Sequence, residues 1–284
     1  MFINIQLSCI CCKSKNIDFT PAILMPFISH KIFNWKPIKI LKDWKFKTIK
    51  SGMAYSLANT LNCKNCGILF LDIRFNQSQM KMLYNGYRDY KYDKLREKYE
   101  PGYTAKFKLT NEKTSINLIR KEKFILRTIE EKTLKKFKIL DYGGDNGVNT
   151  PFKKLTDIKI FDLNKKYTQI KSNSKKKFDL IFCTHVIEHV PFPKRLIDNI
   201  KKFMKKNSYL YIEVPFEKIV YDTHPEMPNP KKKRHWHEHI NFFTRKSLAH
   251  LFNNTNLKII DEKVFKNNTI GNFPAIWTFL LKLK

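Results

Sequence analysis

Ile139-Leu140-Asp141-Tyr142-Gly143-Gly144-Asp145-Asn146-Gly147 is the stretch that decides the fold. An apolar run ends on an acidic residue and passes into a glycine-rich turn, where a backbone with few side chains can approach a ligand closely. Such a turn is expected at a strand end, opening a helix. Downstream, Ile158-Lys159-Ile160-Phe161 reads as a second strand that closes on Asp162, and Phe178-Asp179-Leu180-Ile181-Phe182-Cys183 as a third. A helix of roughly Pro193 to Met204, apolar at Leu196, Ile197, Ile200 and Phe203, feeds the strand Tyr209 to Val214. Alternation with short connections predicts a parallel, doubly wound α/β sheet. A last helix, Thr244 to Thr255, precedes Leu257–Phe265 and Ala275–Leu281, two runs expected to pair as an antiparallel edge hairpin.

Asp162 gives the glycine turn its weight, because a carboxylate at the end of the next strand accepts hydrogen bonds from both ribose hydroxyls. A dinucleotide site is the rival reading. It calls for three spaced glycines before a phosphate-facing helix, and Asp145 sets a negative charge where a pyrophosphate would sit.

The series Asp-x-Gly-x-x-x-Gly from Asp141, Ile160-Phe161-Asp162, FDLIFCTHVIEHV from Phe178 and YLYIEVP from Tyr209 resembles the class I S-adenosylmethionine-dependent methyltransferases over about Lys136 to Lys284. The resemblance implies a Rossmann-like fold with S-adenosylmethionine as cofactor. It also implies that Asp141 holds the methionine amino group, that the turn at Gly143 and Gly147 passes the methionyl and ribose portions, and that Asp162 binds ribose. Two departures stand out: Asp145 takes the place of the usual middle glycine, and the stretch from Leu163 to Phe178 is too short for the customary helix and third strand.

Six cysteines lie at 9, 11, 12, 63, 66 and 183. Without a secretion signal they read as metal thiolates rather than disulfides. Cys9-x-x-Cys12 and Cys63-x-x-Cys66 supply four soft ligands for a tetrahedral, structural zinc, with Cys11 the alternative to Cys12. Cys183, on an apolar strand, reads as a core residue. The chain is thus expected to comprise a small N-terminal zinc module over 1–75, a helical bridging segment over 76–133 and the methyltransferase domain over 134–284. The bridge is read as a helix from Ser78 to Tyr99, carrying Met80, Leu83, Tyr84 and Tyr87, and a second from about Glu112 to Lys132.

Acid–base chemistry falls to histidine. His185 and His189 bracket Glu188 after the third strand, and His235-Trp236-His237-Glu238-His239 crowds three imidazoles and a carboxylate into five residues. His239, supported by Glu238 and His189, is the candidate base for an acceptor proton, while His185 and His235 read as satisfied polar groups. Trp236-His237-Glu238-His239 and the cysteine pairs are similar to the Tyr-His-Glu-His motif and zinc module of the deoxysugar C-methyltransferases. That partial resemblance implies a sugar acceptor, nucleotide-linked or part of a surface polysaccharide. Trp in place of Tyr turns the expectation from carbon toward a hydroxyl. Lys231-Lys232-Lys233-Arg234, following Pro228 and Pro230, reads either as a contact for a diphosphate or as a solvated loop.

The net charge of +30 ordinarily suggests nucleic acid. Only eight of the 55 basic residues are Arg, however, and abundant Lys, Asn, Ile and Phe are what an AT-rich genome produces, so nucleic acid is not the expected partner. No run is long enough to span a membrane, and the opening residues lack a signal peptide, so a cytoplasmic location is expected. A nucleic-acid-modifying enzyme and a noncatalytic binding protein with this fold are the competing readings.

Overall fold

The turns at one end of an antiparallel strand pair carry the N-terminal cysteines. The computed structural model describes residues 4–40, 52–55, 57–87, 89–102, 114–163, 166–221, 229–266 and 275–284. Its N-terminal part comprises β1 (Asn4–Ile5), β2 (Ile17–Leu24), α1 (Pro26–Phe33), β3 (Ile38–Ile40), β4 (Gly52–Ala54), β5 (Leu57–Cys63), β6 (Leu69–Leu71) and β7 (Ile73–Arg74). β2 and β5 pair antiparallel from Ile17 opposite Cys63 to Ile23 opposite Leu57, which brings both cysteine turns to one end of the hairpin.

The bridge departs from its sequence reading. Instead of one helix over 78–99 there are α2 (Gln77–Tyr84) and α3 (Tyr90–Tyr99), separated where Gly86 adopts a left-handed φ of 69°. Asn76 caps α2 with a capping box through Gln79, and Asp89 accepts the Tyr92 amide to start α3. The second expected helix is α4 (Thr114–Ile125) followed by the short α5 (Glu131–Leu134). Its expected start at Glu112 lies outside the described residues.

The main sheet is built from β8 (Ile139–Tyr142), β9 (Ile158–Phe161), β10 (Phe178–Thr184), β11 (Met204–Phe216), β14 (Leu257–Lys266) and β15 (Ala275–Leu283). Between them lie α6 (Pro193–Lys201), α7 (Lys218–Tyr221), β12 (His235–Trp236), β13 (Asn241–Phe242) and α8 (Arg245–Asn253). The strand order is β14-β15-β11-β10-β8-β9, parallel from β11 through β9 and antiparallel across β11, β15 and β14. β10 reads as a near-continuous apolar run because both faces are covered. The doubly wound sheet and its antiparallel edge hairpin are therefore as expected, although β11 begins at Met204, inside the stretch read as the end of a helix.

Two connections differ from the expected pattern. No helix follows the glycine turn: residues 143–157 run as turns. Positive φ at Gly143 (83°), Asp145 (49°), Gly147 (72°) and Phe152 (64°), together with Pro151, interrupts the right-handed backbone that a helix needs. Among the described residues no strand lies between β9 and β10. Instead Gln169 closes the β9 edge, its amide donating to the Ile160 carbonyl (2.9 Å) and its side-chain oxygen accepting from the Ile160 amide (3.2 Å). Thr168 Oγ1 takes the Asp162 amide at 2.9 Å. An unpaired edge is blunted by side chains where a strand would otherwise lie.

A second sheet, ordered β12-β2-β5-β6-β13, draws strands from both ends of the chain. The cysteines share an apolar cluster with Ile187, Phe243, Leu248 and Leu251, so the N-terminal part and the main sheet share one core. Arg74 lies fully buried at this junction. Its guanidinium donates to Asn241 Oδ1 (2.8 Å), to the carbonyls of Pro191 (3.1 Å) and Ile240 (3.2 Å), and to Leu71 O. Burial lowers its pKa to about 9, which leaves it charged at neutral pH. Arg74→Met keeps the apolar stem but strands these oxygens. It is expected to cost on the order of 3 kcal/mol and to lower the melting temperature by about 6–12 °C. A change within about 2 °C would remove Arg74 from this role.

Candidate functional site

Four sulfurs meet at the open end of the β2–β5 hairpin. Cys9 and Cys66 Sγ are 3.5 Å apart, Cys12 and Cys63 Sγ likewise, and all four lie within 4.8 Å of one another. Tetrahedral zinc with bonds of about 2.3 Å separates its sulfurs by about 3.8 Å, so the donor set fits that metal. The amides of Cys11 and Cys12 both point at Cys9 Sγ from 3.4 Å, donors that suit a thiolate. Of the two adjacent candidates, Cys12 brings its sulfur to the group. Cys11 is buried, and its carbonyl accepts from Asn254 Nδ2 at 2.7 Å. Cys183 is buried in β10, as a core residue.

The glycine turn lies across the C-terminal ends of β8 and β9. Asp141 is buried and accepts from Thr150 Oγ1; burial is the main influence on its carboxyl and raises its pKa. A side chain on Gly143 would collide with Val186, and one on Gly144 with the Asp141 carboxylate, so the turn is held flat on the strand ends. Asp162 accepts from the Asp145 amide at 2.9 Å, which ties the two acidic strand ends through the turn. Asp145 thus occupies its left-handed position with its backbone turned toward Asp162. Two carboxylates at adjacent strand ends, beside a turn of nearly bare backbone, are an acceptor set that fits S-adenosylmethionine, whose ammonium and ribose hydroxyls are donors.

Beyond the end of β10 the loop 185–191 meets the loop 237–241. The Glu188 carbonyl accepts the amides of Ile240 (2.9 Å) and Asn241 (3.0 Å), and Asn241 Nδ2 donates to the carbonyls of Ile187 (3.1 Å) and Val190 (2.8 Å). The clasp brings the His189 and His239 rings edge to face, with centroids 4.5 Å apart. His189 Nδ1 lies 3.1 Å from the Glu238 carbonyl; since a carbonyl only accepts, Nδ1 carries the hydrogen. His239 Nδ1 lies 2.6 Å from Glu217 Oε1. Burial depresses the His189 pKa to about 4, aided by neighbouring His239. For His239 burial acts in the same sense, but Glu217 above all, with Glu188 and Glu238, outweighs it and raises the pKa to about 9. At neutral pH the pair is therefore one neutral ring and one imidazolium.

The candidates are thus brought together, with one change of partner. Glu238 pairs with Arg96, which is stacked over Phe27 and also meets Glu100 (2.5 Å), and Glu217 rather than Glu238 holds His239. His185, in a left-handed conformation, lies 3.4 Å from Glu188 and 4.0 Å from Glu213. Glu213 is fully buried in β11 and is met by Arg120 and by Lys121 (3.5 Å). Lys121 also donates to the Asn149 carbonyl at 3.1 Å, which links this network to the glycine turn. Glu213, Glu217, Arg96 and Lys121 escape the sequence reading. Glu213 left one trace, a carboxylate inside the apolar run of β11.

Residues 84–262 match the model of a methyltransferase domain family. No curated protein matches the chain. Among solved structures, an S-adenosylmethionine-dependent methyltransferase from Leishmania major is 11% identical, aligning 61% of this chain with 74% of its own at a TM-score of 0.47. One from Clostridium acetobutylicum is 14% identical over 68% of this chain and 98% of its own, with a TM-score of 0.41. Magnesium protoporphyrin IX methyltransferase from Synechocystis is 11% identical over 72% and 96%, with a TM-score of 0.47.

The sulfur geometry generates a direct expectation for metal content. Purified protein should carry about one zinc per chain, and a Cys63→Ser, Cys66→Ser variant should carry almost none while its N-terminal sheet becomes protease-sensitive. Zinc retained in that variant would place the metal elsewhere.

Proposed function

The chain belongs to the methyltransferase-domain family, as a class I, S-adenosylmethionine-dependent enzyme, and we propose that it methylates a hydroxyl of a small, sugar-class acceptor. One observation carries the reading: the turn that links Asp141 and Asp162 at the strand ends packs its Gly143 against Val186, in the loop that carries His189 into contact with His239. Asp162 binds the ribose diol, while Asp141 shapes the turn at Gly143 and Gly147 and faces the methionine ammonium. When bound, S-adenosylmethionine supplies an electrophilic methyl group whose leaving group is a neutral thioether.

What remains for the protein is to align an oxygen with that methyl carbon and to remove one proton. With both Nδ1 atoms engaged, by the Glu238 carbonyl and by Glu217, the two Nε2 atoms are left for the acceptor. His189 is the neutral member and His239 the charged one, so the pair can both receive a proton and donate a hydrogen bond. Glu238, fixed by Arg96, keeps the loop in register.

A sugar's hydroxyls suit a cluster of imidazoles and carboxylates, and a nucleotide-linked one would find cations in the 231–234 segment. Lys233 is already committed there: it packs over Trp236 and Phe242, and burial lowers its pKa to about 8. The Cys9, Cys12, Cys63 and Cys66 zinc is structural, since four protein thiolates leave no open position. No described helix is long and apolar enough to cross a membrane, in keeping with action in the cytoplasm.

Calorimetry with S-adenosylhomocysteine tests the cofactor assignment. Asp162→Ala should weaken binding at least about tenfold, and unchanged affinity would overturn it. Mass spectrometry of sugar nucleotides incubated with S-adenosylmethionine tests the acceptor. A single added methyl group, lost in His189→Asn with cofactor binding intact, is the expected outcome; cofactor binding with no sugar methylated would send the search to other acceptors.

A further inference from the structure

The loop clasp that positions the two imidazoles also buries a carboxylate that is faced by imidazoles. Glu188 is 1% exposed, and among the described residues its side-chain oxygens make no well-formed hydrogen bond, the nearest nitrogen being His185 Nδ1 at 3.4 Å. The carboxylates around it each have a close ion-pair partner: Glu238 has Arg96, Glu217 has His239, and Glu213 has Arg120, with Lys121 3.5 Å from its other oxygen. The groups that face Glu188 are the imidazoles of His185 at 3.4 Å and His189 at 3.9 Å. A buried anion in that state is costly unless a cation sits with it.

We propose that Glu188, His189 and His239 form a binding site for a divalent transition-metal cation, separate from the four-cysteine site. Ligand atoms of the three residues lie within 4.8 Å of one another. The supporting shell is already in place. A ligating imidazole gives its other ring N–H to a carbonyl or carboxylate, which fixes its tautomer and orientation. His189 does so to the Glu238 carbonyl at 3.1 Å and His239 to Glu217 at 2.6 Å, so each presents Nε2. Two imidazoles and a carboxylate suit zinc, iron(II), cobalt(II) or manganese(II) rather than the soft cations that thiolates favour. Three protein ligands leave coordination positions open, in contrast to the closed cysteine site, and a hydroxyl or carbonyl oxygen of the acceptor is the chemistry that would fill one. A cation and a proton exclude one another at His239 Nε2, so the cation-loaded and cation-free clusters are two states of one site. The binding itself does not depend on the acceptor being a sugar.

The test uses the full chain with zinc already in the cysteine site, titrated with cobalt(II) and followed by calorimetry and visible absorption. One saturable cobalt per chain is expected, with d–d bands but no thiolate charge-transfer band. Glu188→Gln and His189→Gln should each abolish it while retaining the cysteine-site zinc, which serves as the measure of folding. Glu217→Gln, which touches no metal, should weaken it by about 10- to 100-fold. If Glu188→Gln fails to retain zinc, His189→Gln and His239→Gln carry the comparison. Absence of saturable binding, cobalt bound only with thiolate charge transfer, or undiminished binding in the folded ligand variants would each overturn the proposal. Because binding is read without turnover, its failure leaves the methyl-transfer reading untouched.

Discussion

The carbonyl oxygen of Glu188, accepting the amides of both Ile240 and Asn241, joins two loops that are about fifty residues apart in sequence, and the candidate site depends on that joint. Asn241 returns the bond through its side chain to Ile187 and Val190, and the buried guanidinium of Arg74 closes the arrangement from below. Buried backbone groups must find partners. Here they find them across the junction, so neither loop can move without stranding polar atoms of the other. That constraint puts His189 and His239 in ring contact.

The N-terminal cysteines take part in the same arrangement. Thr244 caps α8 and donates from Oγ1 to the Cys66 carbonyl at 2.6 Å, while Asn254 at the other end of that helix donates to the Cys11 carbonyl. The cysteine knuckles are therefore packed on both ends of α8. A metal that stiffens them also fixes the loop entering that helix, which carries Glu238 and His239. Trp236, buried and bonded from Nε1 to Thr60 Oγ1 at 2.8 Å, anchors the same loop on the N-terminal sheet.

Charge is distributed in two layers. The chain has 55 basic and 25 acidic residues, yet Asp141, Glu188, Glu213 and Glu217 are buried around the strand ends. A strongly basic exterior thus encloses an acidic site, and the net charge says little about what that site binds. Inside, each carboxylate lowers the proton affinity of none of its neighbours and raises that of the imidazoles it faces, while burial opposes charge everywhere. His189 and His239 separate because Glu217 reaches only one of them directly.

By itself the sequence determined the elements whose signals are local. The run into Gly143, the apolar strands and the terminal hairpin fixed a doubly wound sheet, because periodicity and turn residues act within a few positions. The Cys-x-x-Cys spacing named the thiolates to within the choice of Cys11 or Cys12. The place of Asp162 at the end of β9 was legible because the apolar run Ile158 to Phe161 stops there. Other features were decided only when distant segments met. The helix expected after Gly147 gave way to turns, since the backbone took left-handed conformations at Asp145 and Phe152 that residue type alone does not demand. Glu217, Arg96 and Lys121 had no local signature, because an ion pair between segments far apart leaves no period in the chain. Which carboxylate holds His239, and which is faced by His185 and His189, is a matter of packing geometry; the sequence supplied the charged groups, and tertiary structure paired them.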